Sequence, residues 1–351
     1  MATSDYRLSF ERPIYELEAR LEKLDTKIQQ TPEIRNEIRR LRRELIDLTK
    51  NIYSELSPWQ TVEVARHPDR PMTTDYLELV FDDFTELHGD KFFGDDRAIR
   101  TGWAKLDNFR VMVVGHQKGR NTKERAACNF GFAHPEGYRK AMGKMRLAAK
   151  FHMPIICLID TGGAHPGIGA EERGQALVIA QSMYEMSRLP TPIVCVVIGE
   201  GGSGGALGIG VGDRVSMLEN AYYSVISPEG CAGILWKSHT FKQQAAAALK
   251  MTSKDLMALK VVDDVIREPL GGAHRDHNRM ASKLKLHLRS QLRELTAMPV
   301  DQLLEHRYQR FRRMGQFLEL TPEQLAARKA QMAQPRESAR SEEIASSTAV
   351  S

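Results

Sequence analysis

Two segments of the chain hold glycine at a density that needs a chemical or a packing reason. The first, residues 159–174, reads IDTGGAHPGIGAEERG, and the second, residues 198–208, reads IGEGGSGGALG. Each follows an apolar run of strand length and leads into a stretch with helical patterning. Without a Cβ, the backbone can come close to a ligand and aim successive N–H groups at one point. A helix that starts there adds unpaired amide donors and a partial positive charge. Such an arrangement suits an anion, either a phosphate or an oxyanion that develops during a reaction.

Three chemistries compete for the second segment. Residues 199–204 satisfy G-x-G-x-x-G, and Glu219 falls near the place of a ribose-binding acid. Glycine recurs at Gly205, Gly208, Gly210 and Gly212, however, which is poor material for the long helix of a dinucleotide fold. Residues 201–205 also satisfy G-x-S-x-G, the turn that exposes a serine nucleophile, and His239, His274 and His277 lie downstream. No acid–base pair is singled out to activate Ser203. The third chemistry is an oxyanion hole made by the backbone N–H groups of Gly204 and Gly205 at a helix start. It requires no side-chain nucleophile and suits the enolate chemistry of thioesters. A tight packing turn without a ligand is the plain alternative.

The elements that must position these loops follow from periodicity. Apolar runs at 111–115, 154–159, 192–198, 215–218, 222–226 and 261–266 read as strands, alternating with helices at 135–151, 170–188 and 228–237. Near-continuous Val, Ile, Cys and Leu imply strands covered on both faces, hence a layered α/β core. Upstream, Ile14, Leu17, Leu21, Leu24 and Ile28 form one helical seam, and Ile34, Ile38, Leu41, Leu45, Leu48 and Ile52 a second. Thr31 and Pro32 suit the cap and first turn of the second helix, so a helical hairpin is expected. The proline-punctuated stretch 57–71 reads as a linker. A helical tail of alternating basic and apolar residues follows position 282, and the Ser/Ala/Glu-rich end reads as disordered. The expected division is a helical arm 1–56, a core 57–281, a helical extension 282–330 and a disordered tail 331–351.

Bulk composition narrows the partners. A net charge of +5 is mild for 351 residues, and aromatic content of 7% without a basic stripe argues against a nucleic-acid partner. No run approaches the roughly 20 apolar residues of a membrane helix. The first residues carry no basic-then-apolar signal, so a cytoplasmic protein is expected. Cys128, Cys157, Cys195 and Cys231 include no CxxC pair, which points to reduced thiols and no metal site.

Several strings at matching mutual spacing resemble the carboxyltransferase α-subunit family of multisubunit acetyl-CoA carboxylases. They are GHQKGR at 115–120, GIGAEERGQ at 167–175, GEGGSGGA at 199–206, YSVISPEGC at 223–231, ILWK at 234–237, EPLGGAHR at 268–275 and RYQR at 307–310. The resemblance covers roughly residues 10 to 315. It implies a crotonase-like (ClpP/crotonase) α/β fold, a superhelix of ββα units with the helical hairpin in front and a helical C-terminal tail. It implies transfer of a carboxyl group from carboxybiotin, held on a biotin carboxyl carrier protein and not on this chain, to acetyl-CoA, which gives malonyl-CoA for fatty acid synthesis. A zinc-ribbon β subunit would complete an α2β2 assembly, with biotin carboxylase as a further member of the complex. In the family's proposed mechanism the biotin ureido anion takes the methyl proton, so no protein base is required.

Carried over by position, Gly204 and Gly205 form the hole for the biotin carbonyl, flanked by Gly201 and Gly202, while Gly162, Gly163 and Ala164 line the neighbouring wall. The family commonly reads DTPGAYPG where this chain reads DTGGAHPG, so Gly162 replaces proline and His165 replaces tyrosine. His165 is expected to substitute for the phenol in stacking or hydrogen bonding. Arg173 is a candidate to position a carboxylate. Lys118, Arg120, Lys123 and Arg125 read as a basic cluster for CoA phosphates or acidic partner groups, or as a solvated loop.

Overall fold

The computed structural model describes residues 6–26, 31–315 and 320–333. The chain falls into two units, Met1–Met314 and Gly315–Ser351. Ile28 of the hairpin seam and residues 334–351 of the expected tail lie outside the described residues.

Helices α1 (Arg12–Asp25) and α2 (Pro32–Ser54) form the expected hairpin. The Thr31 hydroxyl accepts the Ile34 N–H at 3.4 Å, and Leu17, Leu21, Ile38 and Leu41 bury the seam between the helices. Buried Glu11 anchors the hairpin to the core. It accepts from Tyr53 at 2.8 Å and pairs with Arg275 at 3.1 Å, while Glu18 pairs with the same guanidinium at 2.7 Å.

Residues 57–71 are not a linker. Ser57 and Gln60 form a reciprocal capping box for α3 (Pro58–Ala65), which buries Val62, Val64 and Ala65. Pro58 sits in the first turn, where its missing N–H costs nothing. Buried Arg70 then forks onto Glu268 at 2.5 and 3.1 Å, stapling the segment to the core. Helix α4 (Thr73–Val80) leads into the sheet.

The sheet begins with β1 (Asp82–Glu86), β2 (Ile99–Leu106) and β3 (Phe109–His116), paired antiparallel. After α5 (Thr122–Ala127) and α6 (Pro135–Lys150) come β4 (Ile155–Thr161), α7 (Ile168–Glu172), α8 (Gln175–Met186), β5 (Ile193–Gly202) and α9 (Ser203–Leu207). Strands β6 (Arg214–Leu218) and β7 (Tyr222–Ser224) precede α10 (Pro228–Trp236), α11 (Lys242–Ala248), α12 (Ser253–Ala258) and β8 (Asp264–Ile266). The order is β1-β2-β3-β4-β5-β6-β8, parallel from β3 onward. Strand β5 is ten residues long and serves three ladders. Its first half lies between β4 and β6, and Glu200–Gly202 pairs with β7.

The helix expected over 170–188 is two helices, because Gly174 takes φ +82° between them. That left-handed position suits glycine and turns the chain by itself. Helix α13 (His277–Thr296) lays Leu284, Leu288, Leu292 and Leu295 on the core. In α14 (Val300–Arg312), Arg307 is fully buried, with its Nε and Nη2 edge forked onto Asp213 at 2.8 and 2.7 Å. Its remaining donors meet the carbonyls of Met186, Leu189 and Thr191 at 2.7–2.9 Å. In the second unit, α15 (Pro322–Ala333) is the described helix.

Candidate active site

Parallel strands place their C-terminal ends along one sheet edge, where connecting loops build a site. Strands β3, β4 and β5 deliver Lys118, Asp160 and Glu200 to that edge. The Lys118 ammonium bridges Asp160 and Glu200 at 2.6 Å each, and the Glu200 N–H donates to Asp160 at 2.9 Å. Arg66, just after α3, reaches Glu200 at 2.7 Å and Glu229 at 2.6 Å, and Tyr222 also donates to Glu200. Burial alone would raise the Glu200 carboxyl, but Lys118 and then Arg66 hold it at about 2. Burial would likewise lower the Lys118 ammonium; its two carboxylates hold it above the usual value. This network floors a polar cavity of about 490 Å³ walled also by Phe130 and Phe132.

Lys118 lines this cavity, with its ammonium already held by two carboxylates. It ties together the two strand ends that carry the glycine loops. Arg120 pairs with buried Asp75, so two of the four basic candidates, Lys118 and Arg120, are already matched by carboxylates. The reason is invisible locally, since the acids lie 42 and 45 positions away from their cations or farther.

The two loops interlock through their glycines. A Cβ at Gly205 would run into the Gly163 carbonyl carbon and lie 2.6 Å from Ala164 N. One at Gly202 would collide with the Gly162 carbonyl and lie 2.8 Å from the Thr161 oxygen. At Gly201 the obstacle is Tyr223, at 2.8 Å. Gly204 differs, because its nearest neighbour would be Ile179 of α8 at 3.6 Å, an ordinary contact. The Tyr138 hydroxyl donates to the Gly205 carbonyl at 3.2 Å and fixes the loop from beneath. Gly204 and Gly205 stand in the first turn of α9, where amides have no intrahelical acceptor.

Ser203 takes φ +49° and is exposed at the strand-to-helix turn, the backbone geometry of a nucleophile elbow. It and Gly204 border a mostly apolar cavity of about 400 Å³, walled by Leu207, Val225, Leu256 and Phe311. Neither a histidine nor a carboxylate lines that cavity.

His165 stacks on His134, with ring centroids 3.9 Å apart. Its Nδ1 accepts the Gly167 N–H at 3.1 Å, which leaves the ring proton on Nε2. Burial and then the His134 ring push its pKa below the ordinary imidazole value, so it is neutral at physiological pH. Arg173 is committed to Glu136 at 2.9 Å and lies 4.4 Å over the Phe93 ring. The structure thus gathers Gly162, Gly163, Ala164, Gly201, Gly202, Gly204 and Gly205 at one point. It pairs half-buried Arg173 with buried Glu136. Arg66, Asp160, Glu200 and Tyr222 escaped the sequence reading. Charged residues at the ends of fully apolar strands were the available signal.

Residues 7–315 match the family described as acetyl co-enzyme A carboxylase carboxyltransferase-like. The chain belongs to this family. Subunit α of the acetyl-coenzyme A carboxylase carboxyl transferase from Rhodopirellula baltica is 64% identical over 312 residues, 89% of this chain and 98% of that protein. The corresponding subunit from Geobacter metallireducens is 55% identical over 316 residues, 90% of this chain and 99% of that one.

Among solved structures, a transcarboxylase 12S chain with hydrolysed methylmalonyl-coenzyme A bound is similar to 75% of this family member at TM-score 0.54 and 18% identity. This chain spans 46% of that one. The Pseudomonas malonate decarboxylase hetero-tetramer in complex with coenzyme A is similar over 68% of this chain and 91% of its own, at TM-score 0.52 and 14% identity. The fold of this carboxyltransferase-like chain is the crotonase-like one that the resemblance implied. Among the described residues no group of side chains suits a metal ion, and no helix is long and apolar enough to cross a membrane.

Proposed function

We propose that this chain is the biotin-side half of a two-subunit acetyl-CoA carboxyltransferase. The observation that carries the reading is Gly204: a first-turn amide in a loop locked by its neighbours, beside a mostly apolar cavity lined by no histidine or carboxylate. A bicyclic ureido ring on an aliphatic arm suits a cavity of about 400 Å³ with few polar groups. Carboxybiotin, delivered by a carrier protein, supplies the carboxyl group. The chain's own part is to hold negative charge on an oxygen through the N–H groups of Gly204 and Gly205, each worth about 10²- to 10³-fold in rate. Gly162, Gly163 and Ala164 close the neighbouring wall, Gly201 and Gly202 let the loops meet, and His165 presents a neutral Nε2–H donor beside them.

The acceptor side is expected from a β subunit with a zinc ribbon in an α2β2 assembly, serving biotin carboxylase and the carrier protein in the cytoplasm. The test mixes the full chain with such a β subunit, labelled carboxybiotin and acetyl-CoA. Labelled malonyl-CoA should form only in the mixture, and comparable activity from this chain alone overturns the two-subunit reading. The elbow geometry of Ser203 supports a second reading, a hydrolase. Ser203→Ala separates the two, since transfer should survive it within about threefold, far from the 10⁴-fold or greater loss of a nucleophile.

A further inference from the structure

A third cavity, of about 440 Å³, lies between α6 and α8 beneath the loop that follows β1. Its floor contains Ser182, fully buried, whose hydroxyl has no hydrogen-bond partner. A buried hydroxyl left unpaired is costly, and an incoming acceptor relieves it. Gly143 opens the same floor: a Cβ there would meet nothing within 4 Å.

Charge in this cavity is uncompensated. Arg139 pairs with Asp90 at 2.8 Å, Lys140 with Asp95 at 2.6 Å and Arg146 with Glu185. Among the described residues no carboxylate pairs with Lys144 or Lys91. Lys144 reaches the carbonyls of His88 and Gly89, at 3.2 Å each. Burial, then Lys91 and Lys140, push the Lys144 ammonium below the usual lysine value. The loop above is built rather than slack, because Asp90 accepts the N–H groups of Phe92, Phe93 and Gly94 at 2.8–3.0 Å. Lys91 is held there at φ +67°, and Phe92 stands 87% exposed at the mouth.

We infer that this cavity binds a phosphate-bearing small molecule. Lys91 and Lys144 hold the phosphate, Ser182 donates from the floor, and Phe92 lies against the organic part. A lone carboxylate would neutralise one ammonium and strand the other, whereas a phosphate dianion or diphosphate matches both. The volume lies within the roughly 300–1,000 Å³ of small-molecule sites. Helix α8, one wall of the cavity, also presents Ile179 to Gly204 on its other side.

Calorimetric titration of the full chain at low salt, with inorganic pyrophosphate, ADP and coenzyme A, tests this. Wild type should bind at least one probe saturably, and Lys91→Met and Lys144→Met should each weaken it at least tenfold. Phe92→Ala should weaken ADP or coenzyme A while leaving pyrophosphate unchanged. Tighter binding of ADP than of coenzyme A identifies a free nucleotide as the source, and the reverse order identifies an acyl-carrier tail. Lys91 is exposed, so its variant carries the test even if Lys144→Met folds poorly. No saturable binding of any probe, or equal binding by Lys91→Met, overturns the site.

Discussion

Lys118→Met removes the cation that joins the ends of β4 and β5. The methionine keeps the length of the side chain, so packing changes little and the charge is the variable. Asp160 and Glu200, at 8% and 11% side-chain exposure, then face each other with Arg66 as the remaining cation on Glu200. Removing one partner of a buried ion pair costs about 3–5 kcal/mol. For a body of this size about 2 °C follows each kcal/mol, so the thermal midpoint should fall by about 6–10 °C. The pH dependence has a definite sign. In the wild type, Glu200 is held at about 2 against an ordinary 4.5. Its contribution is present above pH 4.5 and is lost as the pH falls toward 2. Without Lys118 the folded Glu200 carboxyl rises and takes up its proton earlier. The deficit of the variant is therefore full at pH 7.5 and narrows below about pH 5. Urea unfolding followed by far-UV circular dichroism at pH 7.5 and 4.5 measures both. A loss under about 1 kcal/mol at pH 7.5 refutes the clamp. Lys118→Arg, which keeps the charge, should recover most of the difference, and its failure to do so would assign the effect to shape.

Gly204→Ala should fold as well as the wild type or better by up to about 1 kcal/mol, since alanine favours a helix. Any loss of carboxyl transfer in it then reports on the space beside that amide. Gly205→Ala meets backbone rather than side chain and should destabilise by about 1–3 kcal/mol or more, read by urea midpoints. Arg307→Met should cost about 3–5 kcal/mol in the same assay, because Asp213 and three carbonyls lose their partner together. His165, held below the ordinary imidazole value, should contribute no ionisation to the transfer rate between about pH 7.5 and 8.5. A limb in that range that disappears in His165→Gln would contradict its assignment as a fixed donor.

What the sequence disclosed was set by whether a signal was local. Residues 155–159 of β4 and 193–198 of β5 are apolar throughout, so their existence was plain, while the strands' last residues, Thr161 and Gly199–Gly202, extend pairing into the glycine loops themselves. β1 and β2 escaped because charged residues, at Asp82, Asp83, Arg100 and Lys105, interrupt the apolar run in each. Gly174 was visible within the expected helix, and only its positive φ makes it a break. The glycine loops were legible as a place of close backbone approach because their density has few other uses. The clamp of Lys118 was not, since an ammonium in a loop looks the same whether its partners are a ligand or two distant carboxylates.

The position of Arg307 has a consequence in time. Its guanidinium completes a nest made by residues 186–213, yet it leaves the ribosome 94 residues after Asp213. At roughly 5–20 residues per second, that interval is about 5 to 20 s. Through it, the Asp213 carboxylate has the Ile193 N–H but no cation, and the carbonyls of Met186, Leu189 and Thr191 lack the guanidinium. A chain cut short before α14 would keep that wound open, a mark by which cellular quality control could tell an unfinished copy from a finished one.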